Sequence, residues 1–218
     1  MISLFPFRFL SVIVSIVVVA LLVSGCGRGS AVTPLSAGSV VLAFGDSVTF
    51  GTGAGPGEDY PSQLARISGW QLLNHGIPGD TAEAAKSRIG AAMEETRPAW
   101  VIVEIGGNDF LRRKSESEVK ENVRAILQQI KQARIPVVLV ATPRFSLAGA
   151  AFGSLPDAEL YKALAKEEGV PLIPDVFADV LSKPDLKADP IHPNAAGYRV
   201  LAEGIAKGLV KAGYLAKR

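Results

Sequence analysis

Ser47, Asp189 and His192, in that chain order, are the residue types needed to attack a carbonyl carbon. A serine hydroxyl is a weak nucleophile until a base takes its proton. That base needs a group to hold its ring, and the oxyanion formed in the attack needs donors. His192 is the natural base, because histidine is the side chain that changes charge near neutral pH in its ordinary state. Asp189 stands three residues before it. At that spacing a helix or turn places both on one side, so the carboxylate can hold one ring nitrogen while the other faces Ser47. Asp175, Asp179 and Asp185 compete for this role, and Asp189 leads by spacing. A nucleophile elbow of the G-x-S-x-G type would require glycine at position 49, where Thr49 stands. The chemistry therefore reads as serine hydrolysis on a different frame.

These residues need elements that bring them together. Val40-Val41-Leu42-Ala43-Phe44 is a β-branched and apolar run of the kind buried on both faces, and it stops at Gly45-Asp46-Ser47. Further strands are expected over Trp70–Asn74, Trp100–Ile105, Val137–Val140 and Val170–Pro174. Between them lie helical patterns. Pro61 opens one and Gly69 closes it, Asp80 can cap a second, and Ser115 with Glu118 has capping-box spacing for a third. Residues 157–168 read as a fourth helix, and a last one begins near Asn194. Strands alternating with helices predict a three-layer α-β-α sandwich with a five-stranded parallel sheet. In a flavodoxin-like order 2-1-3-4-5, strands two and three flank strand one. Gly79 and Asn108, which follow those strands, then approach Ser47 from either side. The expected oxyanion donors are the N–H of Ser47, the N–H of Gly79 and the side-chain amide of Asn108. Each such donor lowers a barrier by about 3 kcal/mol.

Other residues take quieter readings. Asp46 braces the loop or caps the helix after it. His75 has no carboxylate at useful spacing and reads as a hydrogen-bonded structural histidine. The glycine-rich stretch 49–57 holds neither a G-x-G-x-x-G nor a following Gly-Lys-Ser/Thr, so it is no nucleotide loop. The formal charge of +2 comes without a long run of one sign, which leaves no footprint for nucleic acid. With 48% hydrophobic and 20% charged residues, the chain can build a sizeable core. A single cysteine, Cys26, excludes an internal disulfide, and no cluster has metal-ligand spacing, so neither metal nor cofactor is expected.

Four motifs in order, Gly45-Asp46-Ser47, Gly79 within Pro78-Gly79-Asp80-Thr81, Gly106-Gly107-Asn108-Asp109 and Asp189-Pro190-Ile191-His192, resemble those of the SGNH hydrolases, the GDSL esterase/lipase family. The likeness runs from Val40 to Gly213, and its departure is Val48 where that family's name has leucine. Chain length and Gly106-Gly107-Asn108-Asp109-Phe110-Leu111-Arg112 are similar to the bacterial periplasmic thioesterase/arylesterase/lysophospholipase subgroup. The resemblance implies cleavage of esters or thioesters through an acyl-enzyme, without a cofactor. A carbohydrate O-acetyl esterase and a non-catalytic lipid-anchored binding protein are the alternatives. Phe110, Leu111, Phe145, Leu147 and Phe152 either line an acyl groove or seal loops onto the core, with Phe110, Leu111 and Phe145 as the tentative substrate contacts.

The amino terminus stands apart. Arg8, an apolar run over Phe9–Val23 and small residues at its end describe an export signal, too short for a membrane span of roughly 20 residues. Val23-Ser24-Gly25-Cys26 resembles the lipobox of bacterial lipoproteins. The expected organisation is a signal peptide over residues 1–25, a tether over 26–38 with Cys26 lipid-modified, and a hydrolase domain over 39–218. The protein is then an exported, membrane-anchored monomer of the cell envelope.

Overall fold

The computed structural model of the chain describes residues 33–145 and 155–217. Five apolar runs form one parallel sheet: β1 (Val40–Gly45), β2 (Gln71–Gly76), β3 (Trp100–Glu104), β4 (Val137–Val140) and β5 (Leu172–Ile173). Their order is β2-β1-β3-β4-β5, with every neighbouring pair parallel. β1, β3 and β4 lie inside and are buried almost end to end, whereas β2 at the edge is half exposed. Continuous β-branched runs go to the interior strands because both of their faces are covered.

Register decides where the site forms. Gly45, the last residue of β1, lies opposite Gly76 on one side and Glu104 on the other. Three strands thus end level, and the segments that follow them emerge at one edge.

Helices flank the sheet in two groups. α3 (Ala82–Thr96) packs on α5 (Glu116–Gln132), which packs in turn on α6 (Glu159–Glu168). α2 (Tyr60–Ser68) packs on α8 (Ala195–Lys211), beside α7 (Val176–Leu181). Val119, Val123, Ile126, Leu127 and Ile130 of α5, at helical spacing, are buried. So are Tyr198, Leu201, Ile205 and Leu209 of α8. Ser115 caps α5 by accepting from the Glu118 N–H, and Asn194 caps α8 by accepting from the Gly197 N–H. Three short helices escape the sequence pattern: α1 (Ser47–Phe50) directly after β1, α4 (Gly107–Leu111) shortly after β3, and α7 after β5. One cap is corrected. Thr81, not Asp80, caps α3 by accepting from the Ala84 N–H, because the Asp80 carboxylate is taken by Arg88 at 2.6 Å.

Residues 34–218 form one compact unit. Among the described residues one buried cluster runs through it. No helix among the described residues is long and apolar enough to cross a membrane. The signal, Cys26, Leu147 and Phe152 lie outside the described residues.

Candidate active site

Ser47 is the first residue of α1, immediately past the end of β1. Asp46 caps that helix, its carboxylate accepting from the Val48 N–H at 3.1 Å. The turn is tight: the Phe50 N–H returns to the Asp46 carbonyl at 2.9 Å. Gly45 permits it, since a Cβ there would stand 2.1 Å from the Glu104 carbonyl oxygen and 2.2 Å from Thr49 Oγ1. Val48, the departure from leucine, is buried at 4% exposure beside Ser47.

His192 comes from the loop between the short 3₁₀ turn Pro184–Leu186 and α8. The loop is closed on itself. The Ala188 N–H donates to the His192 carbonyl at 2.9 Å, and the Asn194 side-chain amide donates to the Asp185 carbonyl at 2.8 Å. Asp189 then serves both the loop and the ring. Its Oδ1 accepts from the Ile191 and His192 N–H groups at 2.8 and 2.9 Å, and its Oδ2 lies 2.7 Å from His192 Nδ1. The other ring nitrogen, Nε2, lies 2.9 Å from Ser47 Oγ across 145 positions of sequence. Partial burial pushes the Asp189 carboxyl up, but the bond to the His192 ring and the two N–H donors outweigh it and hold it below its ordinary value.

Gly79 turns with φ +86°, and neither its N–H nor that of Ser47 donates to a protein acceptor among the described residues. Asn108, in α4, is otherwise engaged. Its Nδ2 donates to the Asp80 carbonyl at 3.0 Å and to Asp46 Oδ2 at 3.3 Å. The amide therefore bridges the segments carrying Gly79 and Ser47, and the longer bond is the weaker of the two.

Sequence reasoning missed three supporting residues. Arg88, from the buried side of α3, donates to the Gly45 carbonyl at 2.7 Å and the His75 carbonyl at 2.9 Å, and its guanidinium lies 4.1 Å from the Phe44 ring centroid. It ties the ends of β1 and β2 to Asp80. A lone arginine among Ala85, Ile89 and Ala92 was the available signal. Asp109 is buried and accepts from the Ala82 N–H at 2.8 Å, and its burial pushes its carboxyl up. Glu104, at 1% exposure, accepts from the Thr49 hydroxyl at 3.1 Å and the Thr142 hydroxyl at 3.4 Å, with no cation bonded to it among the described residues. Burial first, then the nearby Asp46 carboxyl, pushes Glu104 well above its ordinary value. Burial, opposed by the Val48 N–H, pushes Asp46 up to about 7. An acid ending an otherwise apolar strand is the trace that Glu104 leaves in the sequence.

The expected apolar contacts divide. Leu111 and Phe145 line the space beside Ser47 together with Phe177 and Ile191. Phe110 does not; it is buried and faces a neighbouring groove with Arg113 and Arg144. The cavity at Ser47 measures about 10 Å³, the size of one water, so the site is shallow. His75 is corrected in its detail: its carbonyl is bonded, but its ring takes no hydrogen bond among the described residues. Asp175, Asp179 and Asp185 make no bond to His192.

Comparison with known proteins agrees with this geometry. Residues 43–200 match the GDSL-like lipase/acylhydrolase family. The chain is 32% identical over 179 residues to thioesterase 1/protease 1/lysophospholipase L1 of Escherichia coli K12, covering 80% of this chain and 85% of that one. A crystal structure of TesA superposes with a TM-score of 0.69 at 26% identity, over 78% of this chain and 97% of its own. AlinE4, an SGNH-hydrolase family esterase, gives a TM-score of 0.62 at 32% identity, over 82% and 98%. The chain therefore belongs to the GDSL-like lipase/acylhydrolase family and is a hydrolase of ester bonds.

Proposed function

We propose that Ser47 is the nucleophile, His192 the base and Asp189 the group that orients it. The observation that carries this reading is the continuous line from Asp189 Oδ2 through the imidazole to Ser47 Oγ, at 2.7 and 2.9 Å. His192 Nε2 accepts the hydroxyl proton as Oγ bonds to the acyl carbon, and the Asp189 carboxylate stabilises the imidazolium that results. The proton then passes to the leaving alcohol or thiol as the tetrahedral intermediate collapses to an acyl-enzyme. Water, deprotonated by the same ring, releases the acid and regenerates Ser47.

The oxyanion is held by the Ser47 and Gly79 N–H groups and by Asn108 Nδ2, whose 3.3 Å bond to Asp46 is the one that yields. The substrates are esters or thioesters, as in the names of the E. coli relative. A cavity of water size favours acyl groups that lie along the surface past Leu111 and Phe145. The sequence further supports export by residues 1–25, a lipid anchor at Cys26, a tether to residue 38 and a monomeric domain from residue 39.

Hydrolysis of p-nitrophenyl esters of rising chain length tests the chemistry. Ser47→Ala and His192→Ala should each abolish turnover, and undiminished turnover in either removes the mechanism. Labelling with an alkyne fatty acid tests the anchor, since Cys26→Ser should erase the signal.

A further inference from the structure

The large hydrophobic side chains left exposed among the described residues are Phe50 at 55%, Ile77 at 45% and Leu111 at 41%. Leu111 lines the space at Ser47, and the other two stand on segments that carry site residues: Phe50 ends the helix that Ser47 begins, and Ile77 follows β2 two residues before Gly79. They are linked through the backbone. A Cβ on Gly76 would stand 2.1 Å from the Phe50 nitrogen, which puts Phe50 against the turn that carries Ile77. Two residues on, the Gly79 carbonyl accepts from the Arg112 guanidinium at 2.9 Å, next to Leu111. Scattered single exposures are ordinary, but a cluster confined to the mouth of a site marks an interaction surface.

Charge on the same segments is one-sided. Residues 50–57, 75–79 and 110–114 contain Arg112, Arg113 and Lys114 and no acid. The acids at their borders are engaged: Glu58 accepts from the Gly55 N–H, Asp80 pairs with Arg88, and Asp109 is buried on Ala82. Lys114 pairs with Glu118, whereas Arg113 is exposed without an ion pair among the described residues. Apolar side chains beside Arg112 and Arg113, neither of which has an ion pair among the described residues, suit the boundary between acyl chains and anionic headgroups.

We propose that this rim seats the enzyme on an anionic phospholipid surface, with Phe50 and Ile77 entering the headgroup boundary and Arg112 and Arg113 meeting phosphates. The inference rests on the ester hydrolase reading above, because it brings Ser47 to substrate held in an aggregate.

The test uses the full chain, and vesicles of ether-linked phosphatidylcholine with or without ether-linked phosphatidylglycerol, which an esterase cannot cleave. Binding should require phosphatidylglycerol and weaken with salt. Phe50→Ser with Ile77→Ser should lower the partition about tenfold or more, the order expected from two large apolar side chains. Arg113→Gln should lower it about fivefold. Turnover of a short water-soluble ester should stay unchanged in these variants. Failure of the wild type to bind, equal binding by the double variant, or a loss confined to soluble-ester turnover would overturn the proposal. So would a concentration-dependent dimer abolished by the same substitutions, which assigns the patch to a second copy. Ser47→Ala should bind vesicles like the wild type. Loss of catalysis as a reading would thus show in turnover, and loss of docking in the partition.

Discussion

The hydroxyl of Thr49, two residues past Ser47, donates at 3.1 Å to Glu104, a carboxyl shut away at the end of β3 with no cation bonded to it among the described residues. The same hydroxyl lies 3.2 Å from the Tyr60 phenol, so one buried acid ties the nucleophile's helix to a strand end and to α2. A carboxylate so placed is costly, and burial with the nearby Asp46 carboxyl pushes Glu104 well above its ordinary value. Glu104→Gln keeps the shape without a charge and should fold with nearly native stability. Glu104→Ala takes the carboxyl acceptor from the Thr49 hydroxyl, leaves Thr142 only the Ile105 carbonyl at 3.5 Å and opens a void, and should lose about 2–4 kcal/mol in urea unfolding. Equal stability of the two variants would contradict this account of Glu104.

Asp46 and Glu104 also set the response to pH. Both carboxyls are raised in the folded state, Asp46 to about 7. The unfolded chain ionises first, so their contribution is complete below the ordinary carboxylate range and is lost as pH rises through the folded values. Stability should therefore decline from about pH 4 to 7 through Asp46, and Glu104, raised likewise, adds to the loss as pH rises above the ordinary carboxylate range. Asp189, lowered in the fold, acts oppositely and loses its contribution on acidification. Unfolding midpoints across pH check this: Asp46→Asn should flatten the decline up to neutrality, whatever its effect on stability itself.

Asp189→Asn separates orientation from folding. The amide oxygen can still accept from the Ile191 and His192 N–H groups that Oδ1 accepts from now. Its NH₂ cannot accept from the Nδ1–H, so the ring loses the tautomer needed to take a proton at Nε2. We expect kcat to fall about a thousandfold or more with KM little changed and melting near that of the wild type.

Asn108→Ala should lower kcat by about a hundredfold to a thousandfold, the effect of removing one oxyanion donor. Its loss from the Ser47→Ala background should cost almost nothing further, because donors act only on an intermediate that forms. Melting temperature should drop too, since the amide bridges Asp46 and the Asp80 carbonyl.

Much of this molecule was legible as pattern. The β1, β3 and β4 runs were recognisable because interior parallel strands must be apolar on both faces. Asp189 and His192 could be paired because three residues of spacing is a local constraint. Ser115 and Asn194 cap as their types suggest. The misses have one cause. Asp80 stood where a cap belongs, yet Arg88 reaches it from the next helix and Thr81 caps instead. Phe110 and Leu111 are neighbours of one type in sequence, but only Leu111 opens onto the site, since α4 turns Phe110 away. The helices α1 and α4 are too short for periodicity to register.

What the chain alone determined is which residues could act and that each follows a strand or precedes a helix, because hydrophobic period and side-chain chemistry are properties of short segments. Tertiary structure decided the rest. Register of β1 against β2 and β3 levels their ends, and only then do Ser47 and His192 stand within reach of a shared proton. Burial and hydrogen-bond supply decide which way each carboxyl shifts: Asp189, donated to by two N–H groups and the ring, is held below its ordinary value, while Glu104, offered only hydroxyls, is pushed well above it. The physical reason is that solvation and hydrogen-bond supply belong to a place in the fold, not to a residue type.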